Sequence, residues 1–306
     1  MRLAAVSVDL DEIDCYAAIH GLAPPGHDAR RAIYRRALPR LRRLFDDLEL
    51  RATFFAIGRD IDDENAPRLR ALVDEGHEVA NHTQSHLYDL TRREPATIRD
   101  EIGRGADVIE RATGVRPVGF RAPGYTITDP VFDVLDELGV AYDSSVFPCP
   151  GYYAAKLAAI QAIRLRGRRS HSVIDDPRVL RAPADPYRAG RPYWRRGTGV
   201  VELPIGVSRG PRFPYIGTSV VLSGERGARA LTRSIVGRPL VNLELHGIDL
   251  ADAEADGLEF LAPHQVDLRR SAEKKEAALR AALSALTEAG YRFVTLREAA
   301  GNFGSA

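Results

Sequence analysis

Short apolar runs recur along the chain, separated by stretches in which apolar residues return every three or four positions. The runs LAAVSVD (3–9), ATFFAI (52–57), HEVANH (77–82), PVGFR (117–121), VAYD (140–143), GVVELP (199–204), LVNLEL (240–245) and YRFVTL (291–296) predict strands. Runs of four to eight such residues between turn formers are typical of buried strands. Between them, residues 29–48 set Ile33, Ala37, Leu41, Leu44 and Leu48 on one helical stripe. Residues 94–114 repeat the pattern and stop at Gly114, 129–139 open on Asp129 before Pro130, and 271–290 close at Gly290. These residue types favour helix starts and ends. Strands alternating with helices predict a parallel sheet, and this many units permit a barrel.

One region breaks the rhythm. From about 148 to 214 the chain is rich in Arg, Pro and Gly, and it reads as an insertion in a single domain spanning 1–306. Within it, Tyr153, Leu157, Ile160 and Ile163 share a helical stripe, with Lys156, Arg164, Arg166, Arg168 and Arg169 on its polar side and end. Cations there complement the helix dipole. The sharper expectations are a peripheral contact with an anionic membrane or with a substrate diphosphate. Arg191, Arg195 and Arg196 around Trp194 match no motif.

Composition narrows the class. With 306 residues, 44% hydrophobic and 28% charged, the chain can bury a large core and reads as globular. Its 43 basic and 42 acidic residues nearly cancel, so no overall field favours nucleic acid. The N-terminal apolar run is cut short by Asp9, and no stretch approaches the ~20 apolar residues of a membrane span. Two cysteines argue against a disulfide scaffold. The expected compartment is the cytoplasm, or the inner membrane face if the basic helix docks there.

The chemistry gathers at strand ends, where parallel α/β folds place their working residues. Asp9 and Asp11 close the first strand, share a face, and stand roughly 6–7 Å apart along it. His82 and His86, Arg121, Asp143 and His246 each follow another strand. The four-residue histidine spacing predicts one helical turn gripping one ion. Two histidines and a carboxylate suit a catalytic zinc, whose bound water has a pKa of about 7. The second carboxylate could then serve as base and His246 as acid to a leaving amine. His77 reads as a packed strand-start residue, and Cys15 as a small buried one. His20, His27, His171 and His264 fall in loop-like sequence and receive no role.

In order, SVDLD, NHTQSH, FRAPGY, YDSS and LELH resemble the motifs of the polysaccharide deacetylase family, carbohydrate esterase family 4. The resemblance covers most of the chain outside the Arg-rich region. It implies a distorted (β/α) barrel that binds one divalent ion and removes an N-linked acyl group, acetyl or formyl, from an aminosugar. By position, Asp11, His82 and His86 would hold the metal, Asp9 would be the base and His246 the acid. Arg121 would orient Asp9, with Asp143 supporting Arg121. The backbone around Tyr125 would face the oxyanion, and Leu245 would line the acyl pocket. Zinc comes first for this ligand set, and cobalt, nickel or iron also suit it. Leu10 separates the two aspartates that the family usually places side by side. This Asp-x-Asp form resembles an intracellular branch with lipid-linked aminosugar deformylases and cyclic-amide hydrolases. YDSSVFP also lacks the tryptophan common in that motif. The expected substrate is therefore an aminosugar, lipid- or nucleotide-linked among its forms. The alternatives are an allantoinase-like cyclic amide, or a non-catalytic carbohydrate-binding relative.

Overall fold

A parallel strand covered on both faces is apolar along most of its length, and β1 (Leu3–Asp9) is fully buried throughout. A computed structural model describes residues 2–174 and 176–304. The remaining strands are β2 (Thr53–Ala56), β3 (Glu78–Asn81), β4 (Gly119–Phe120), β5 (Tyr142–Asp143), β6 (Tyr187–Ala189), β7 (Arg196–Glu202), β8 (Leu240–His246) and β9 (Arg292–Phe293). They form one sheet in the order β6-β7-β5-β4-β3-β2-β1-β8, with β9 pairing the start of β1. Every pairing is parallel except β6 with β7. The sheet curls into a half-barrel. Its seam between β7 and β8 carries no ladder among the described residues. Instead the Gly206 N–H donates to Asn242 O at 2.9 Å, and a single parallel bridge joins Ile216 to Glu244.

The pleat sorts side chains between two layers. Val6, Val8, Phe54, Leu243 and Leu245 point outward and pack with Leu41, Leu44 and Phe45 of the helix Leu38–Asp47. Leu3, Ala5, Phe55, Ala80, Tyr142 and Leu203 fill the interior. Tyr142 on β5 reaches across Gly119 on β4 to donate to Glu78 Oε1 on β3 at 2.9 Å. A Cβ on Gly119 would fall 2.0 Å from the Tyr142 ring. Gly119→Ala is therefore expected to destabilise the fold by about 1–3 kcal/mol through overpacking. Chemical denaturation of the variant checks this, and unchanged stability would mean that the tyrosine repacks freely.

Several elements differ from the sequence expectation. The predicted helix at 29–48 is three pieces, His27–Arg30, a π-turn at Ile33–Ala37, and Leu38–Asp47, although Ile33, Ala37, Leu41 and Leu44 are all buried as the stripe requires. Helices Ile13–His20, Asn65–Asp74 and Gly217–Ile235 arise where none was predicted. The last of these is interrupted at Gly224, with φ 65°, which breaks its apolar periodicity. The Arg-rich stretch is not wholly outside the sheet, because β6 and β7 lie within it and β7 pairs with β5. What stands off is the helix Pro150–Leu165, in which Ile163 alone is buried. Among the described residues, no helix is long and apolar enough to cross a membrane.

Candidate metal centre and active site

Along the half-barrel interior the lining changes from apolar to polar toward the C-terminal strand ends. On β1, Leu3 and Ala5 give way to Ser7 and Asp9; on β8, Leu240 gives way to Asn242, Glu244 and His246. Arg121, fully buried, spans this polar end. Its Nη1 donates to Asp9 Oδ1 at 2.6 Å, its Nη2 to Ser7 Oγ at 2.8 Å and Ser144 Oγ at 2.9 Å, and its Nε to Ser144 O at 2.9 Å. The guanidinium carbon also lies 4.2 Å from the centre of the Phe55 ring. A buried charge persists only when paired and hydrogen-bonded, and here every arm of the fork has a partner. Asp9 is thus fixed in direction by the arginine.

Asp9 and Asp11 converge as their spacing predicts. His82 Nε2 lies 3.8 Å from Asp9 Oδ2 and 3.4 Å from Asp11 Oδ1, and His86 Nε2 lies 3.3 Å from Asp11 Oδ2. His82 donates its Nδ1–H to Arg121 O at 2.7 Å, which leaves Nε2 bare and aimed at the carboxylates. Burial pushes the Asp11 carboxyl up, but the neighbouring His86 and His82 outweigh it and hold it well below the usual range.

The two histidines do not share a helical turn. Residues 82–86 form a loop after β3, with Thr83 at φ 68° and His86 at φ 56°. Side chains hold this strained path, since Thr83 N–H donates to Asn81 Oδ1 and His86 N–H to Thr83 Oγ1, both at 3.0 Å. β-Branched residues seldom adopt positive φ, and the surroundings must enforce it. Gly105 lets the helix Pro95–Thr113 close against the loop, because a Cβ there would lie 2.6 Å from Asn81 Oδ1. The ring of Tyr88 stands edge-on to His86 at 4.6 Å.

The residues fit a divalent ion. Asp11, His82 and His86 offer one ligand atom each at mutual ligating range. Asp11 Oδ1 and both ring nitrogens of His86 are buried without a hydrogen-bond partner, an expensive arrangement unless another group completes it. Two imidazole nitrogens and a carboxylate oxygen suit zinc and its neighbours.

His246 faces this cluster from β8, and its side chain, 25% exposed, is the one among these groups that reaches toward solvent. Its Nδ1 lies 2.9 Å from Glu244 Oε1, two residues back on the same face, and the Tyr125 hydroxyl lies 3.4 Å from both ring nitrogens. Burial alone would lower the imidazole pKa. The Glu244 carboxylate, with Asp9 and Asp11 farther off, overrides burial and raises it well above the ordinary value. Glu244 is the residue that sequence reasoning missed, although the period-two rule placing Asp9 beside Asp11 also places it beside His246.

Three expected contacts are corrected. Leu245 does not line a pocket; strand alternation turns it outward with Val6 and Val8, against the helical layer. Asp143 makes no hydrogen bond to Arg121. It receives Ser145 Oγ at 2.7 Å and Ser145 N–H at 3.0 Å, and Ser145 Oγ in turn accepts Ala122 N–H at 2.8 Å. It therefore braces the backbone beside Arg121, which leads into a tight turn. The Tyr125 backbone N–H is already donated to Ala122 O at 3.1 Å, so its hydroxyl, not its amide, faces the site.

Comparison with known proteins agrees with this geometry. Residues 29–142 match the family model described as polysaccharide deacetylase. That segment includes His82, His86 and Arg121; the fold supplies Asp9, Asp11 and His246 from either side. A peptidoglycan deacetylase of Helicobacter pylori is 28% identical over 146 residues, 47% of this chain and 49% of the relative. The chain thus matches about half the length of such curated relatives. Among solved structures, a Mycobacterium smegmatis protein named for the polysaccharide deacetylases aligns over 99% of this chain and 90% of its own, with TM-score 0.62 and 20% identity. A family 4 acetyl xylan esterase from Clostridium thermocellum, solved with a cobalt ion, aligns over 97% and 89%, with TM-score 0.50 and 17% identity. Matched segment, curated relatives and fold together show that this chain carries a polysaccharide deacetylase domain.

Proposed function

We propose that the protein is a divalent-metal-dependent hydrolase that removes an acetyl or formyl group from the nitrogen of an aminosugar. The observation that carries the reading is the buried trio Asp11, His82 and His86, with unpartnered ligand atoms, beside an aspartate locked in place by Arg121. An ion held by Asp11, His82 and His86 supplies a Lewis acid and acidified water when bound.

The chain's own groups do the rest. Asp9, its Oδ1 fixed on Arg121, accepts the proton of the attacking water. His246, turned by Glu244 through Nδ1, presents Nε2 to the amide nitrogen and gives it a proton as the C–N bond breaks. A C–O bond forms, and the products are a carboxylate and a free amine. The Tyr125 hydroxyl beside His246 limits how the acyl end can enter. Relatives named as peptidoglycan and chitooligosaccharide deacetylases support an aminosugar as substrate.

Zinc- or cobalt-loaded protein is expected to release acetate or formate stoichiometrically with a primary amine from N-acyl aminosugars. Release of a ring-opened ureido acid from a cyclic amide, with no sugar hydrolysis, would transfer the reading to the allantoinase-like alternative. Sugar binding without turnover under any metal would leave a carbohydrate-binding protein.

A further inference from the structure

We infer that the cavity between the helices Ile13–His20 and Pro150–Leu165 is a subsite for a phosphoryl group carried by the substrate. Its role in turnover rests on the deacylase reading above; its ability to bind phosphate does not.

The cavity measures about 200 Å³ and is rimmed by His20, Arg166, Arg168 and His264, with the hydroxyls of Ser170 and Ser172. Among the described residues no acidic side chain lines it, and residues 144–174 contain none in the sequence. Among the described residues, neither Arg166 nor Arg168 pairs with a carboxylate, whereas Arg30, Arg31, Arg59 and Arg178 do. The two imidazoles stand 5.8 Å apart, and His20 is held in place by Gln265 at 3.1 Å. Burial lowers the pKa of both histidines and Arg168 pushes each further down, while Asp267 and the bond to Gln265 only partly offset this at His20. Guanidinium forks, imidazole N–H groups and hydroxyls together make a donor set that suits the oxygens of a phosphate.

The position relative to the chemistry fits. His20 lies one turn beyond Tyr16 on the same helix, a rise of about 6 Å, and the Tyr16 ring lies 6.1 Å from that of His246. Lys156 lines the same cavity and donates to Gly124 O at 2.8 Å, in the loop that carries Tyr125. The helix Ile13–His20 thus meets His246 through Tyr16 and the cavity through His20. A plain polysaccharide would leave Arg166 and Arg168 unused, so the preferred substrate is a phosphorylated aminosugar, with a lipid headgroup or a soluble sugar phosphate as the two sources of that group.

The test titrates inorganic phosphate into the metal-loaded full chain by calorimetry, with wild type and the Arg166→Gln/Arg168→Gln double variant. The expected result is saturable binding at one site, weakened at least about 10-fold in the variant, with unchanged circular dichroism. No binding to wild type, or equal binding to both proteins, overturns the proposal. The kcat/KM ratio of N-acetylglucosamine 1-phosphate to N-acetylglucosamine is expected to fall in the variant, and an unchanged ratio also overturns it. Flotation with phosphatidylglycerol vesicles, competed by phosphate and lost in the variant, would name a lipid headgroup as the source; phosphate binding without flotation would name a soluble sugar phosphate. Because phosphate binding is read without turnover, a failed deacylase assay and a failed subsite give different results.

Discussion

Asp11→Asn is expected to purify without its metal: elemental analysis of wild type should find about one divalent ion per chain, and of the variant almost none. Asparagine has the shape of aspartate, so the buried volume is kept and the fold should survive, which circular dichroism checks. What is lost is the carboxylate that His82 and His86 both face at 3.3–3.4 Å. With two imidazoles left, the site loses the charge that favours a dication, and deacylation should drop to background with it. Asp9→Asn is the informative contrast. It keeps all three ligands and should retain the ion while losing about 10²–10⁴ in rate as the base disappears. Metal retained in Asp11→Asn would place the ion instead among Asp9, Glu244 and His246, the second cluster able to ligate among the described residues. Absence of metal from wild type, even after adding zinc or cobalt, would sink the hydrolytic mechanism.

Glu244→Gln is expected to move the alkaline limb of the pH–rate profile toward lower pH. In wild type the Glu244 carboxylate stabilises the imidazolium of His246 from 2.9 Å and raises its pKa well above the ordinary value. The acid form therefore persists through neutral pH, and rate falls on the alkaline side only once pH passes that raised pKa. Glutamine preserves volume and removes the charge, so the pKa drops and the proton is lost earlier. At pH 8 the variant should be slower by about 10–100-fold, and the deficit should shrink as pH falls and His246 regains its proton. A slower enzyme with an unshifted profile would show that Glu244 only packs against the ring.

How much of this could be read from the residues alone depends on which physical signal carried each part. Buried parallel strands announce themselves as apolar runs, so β1, β2, β3 and β8 were legible, as was the gathering of ionisable groups at their ends. The HxxxH spacing was legible as a metal pair but not as a shape. Four-residue spacing fits a helix and also fits a loop in which Thr83 and His86 keep positive φ, held by hydrogen bonds to Asn81 and Thr83 side chains and packed under Gly105 of a helix that only the fold brings there. Leu245 and Glu244 are the reverse case. Strand parity places the first outward and the second beside His246, and a role assigned by resemblance overrode a rule the residues themselves carried. Asp143 and Tyr125 went astray for a third reason: their hydrogen bonds run to Ser145 and Ala122, and local backbone partners leave no mark in sequence spacing.

The pairing of β1 with β8 also has a consequence for how the protein is born. Ser7 and Asn242, which hydrogen-bond across that pairing, are 235 residues apart. Asp9 and Asp11 leave the ribosome long before β8, and until β8 follows one edge of β1 lacks its main strand partner. Long-range parallel pairing of this kind is slow and leaves an apolar edge exposed meanwhile. Nascent chains arrested before Leu240 should therefore bind chaperones strongly, whereas release of β8 closes the edge and delivers Glu244 and His246 in the same step. The active site and the long β1–β8 pairing are completed together, so an unfinished chain is not a partly working enzyme.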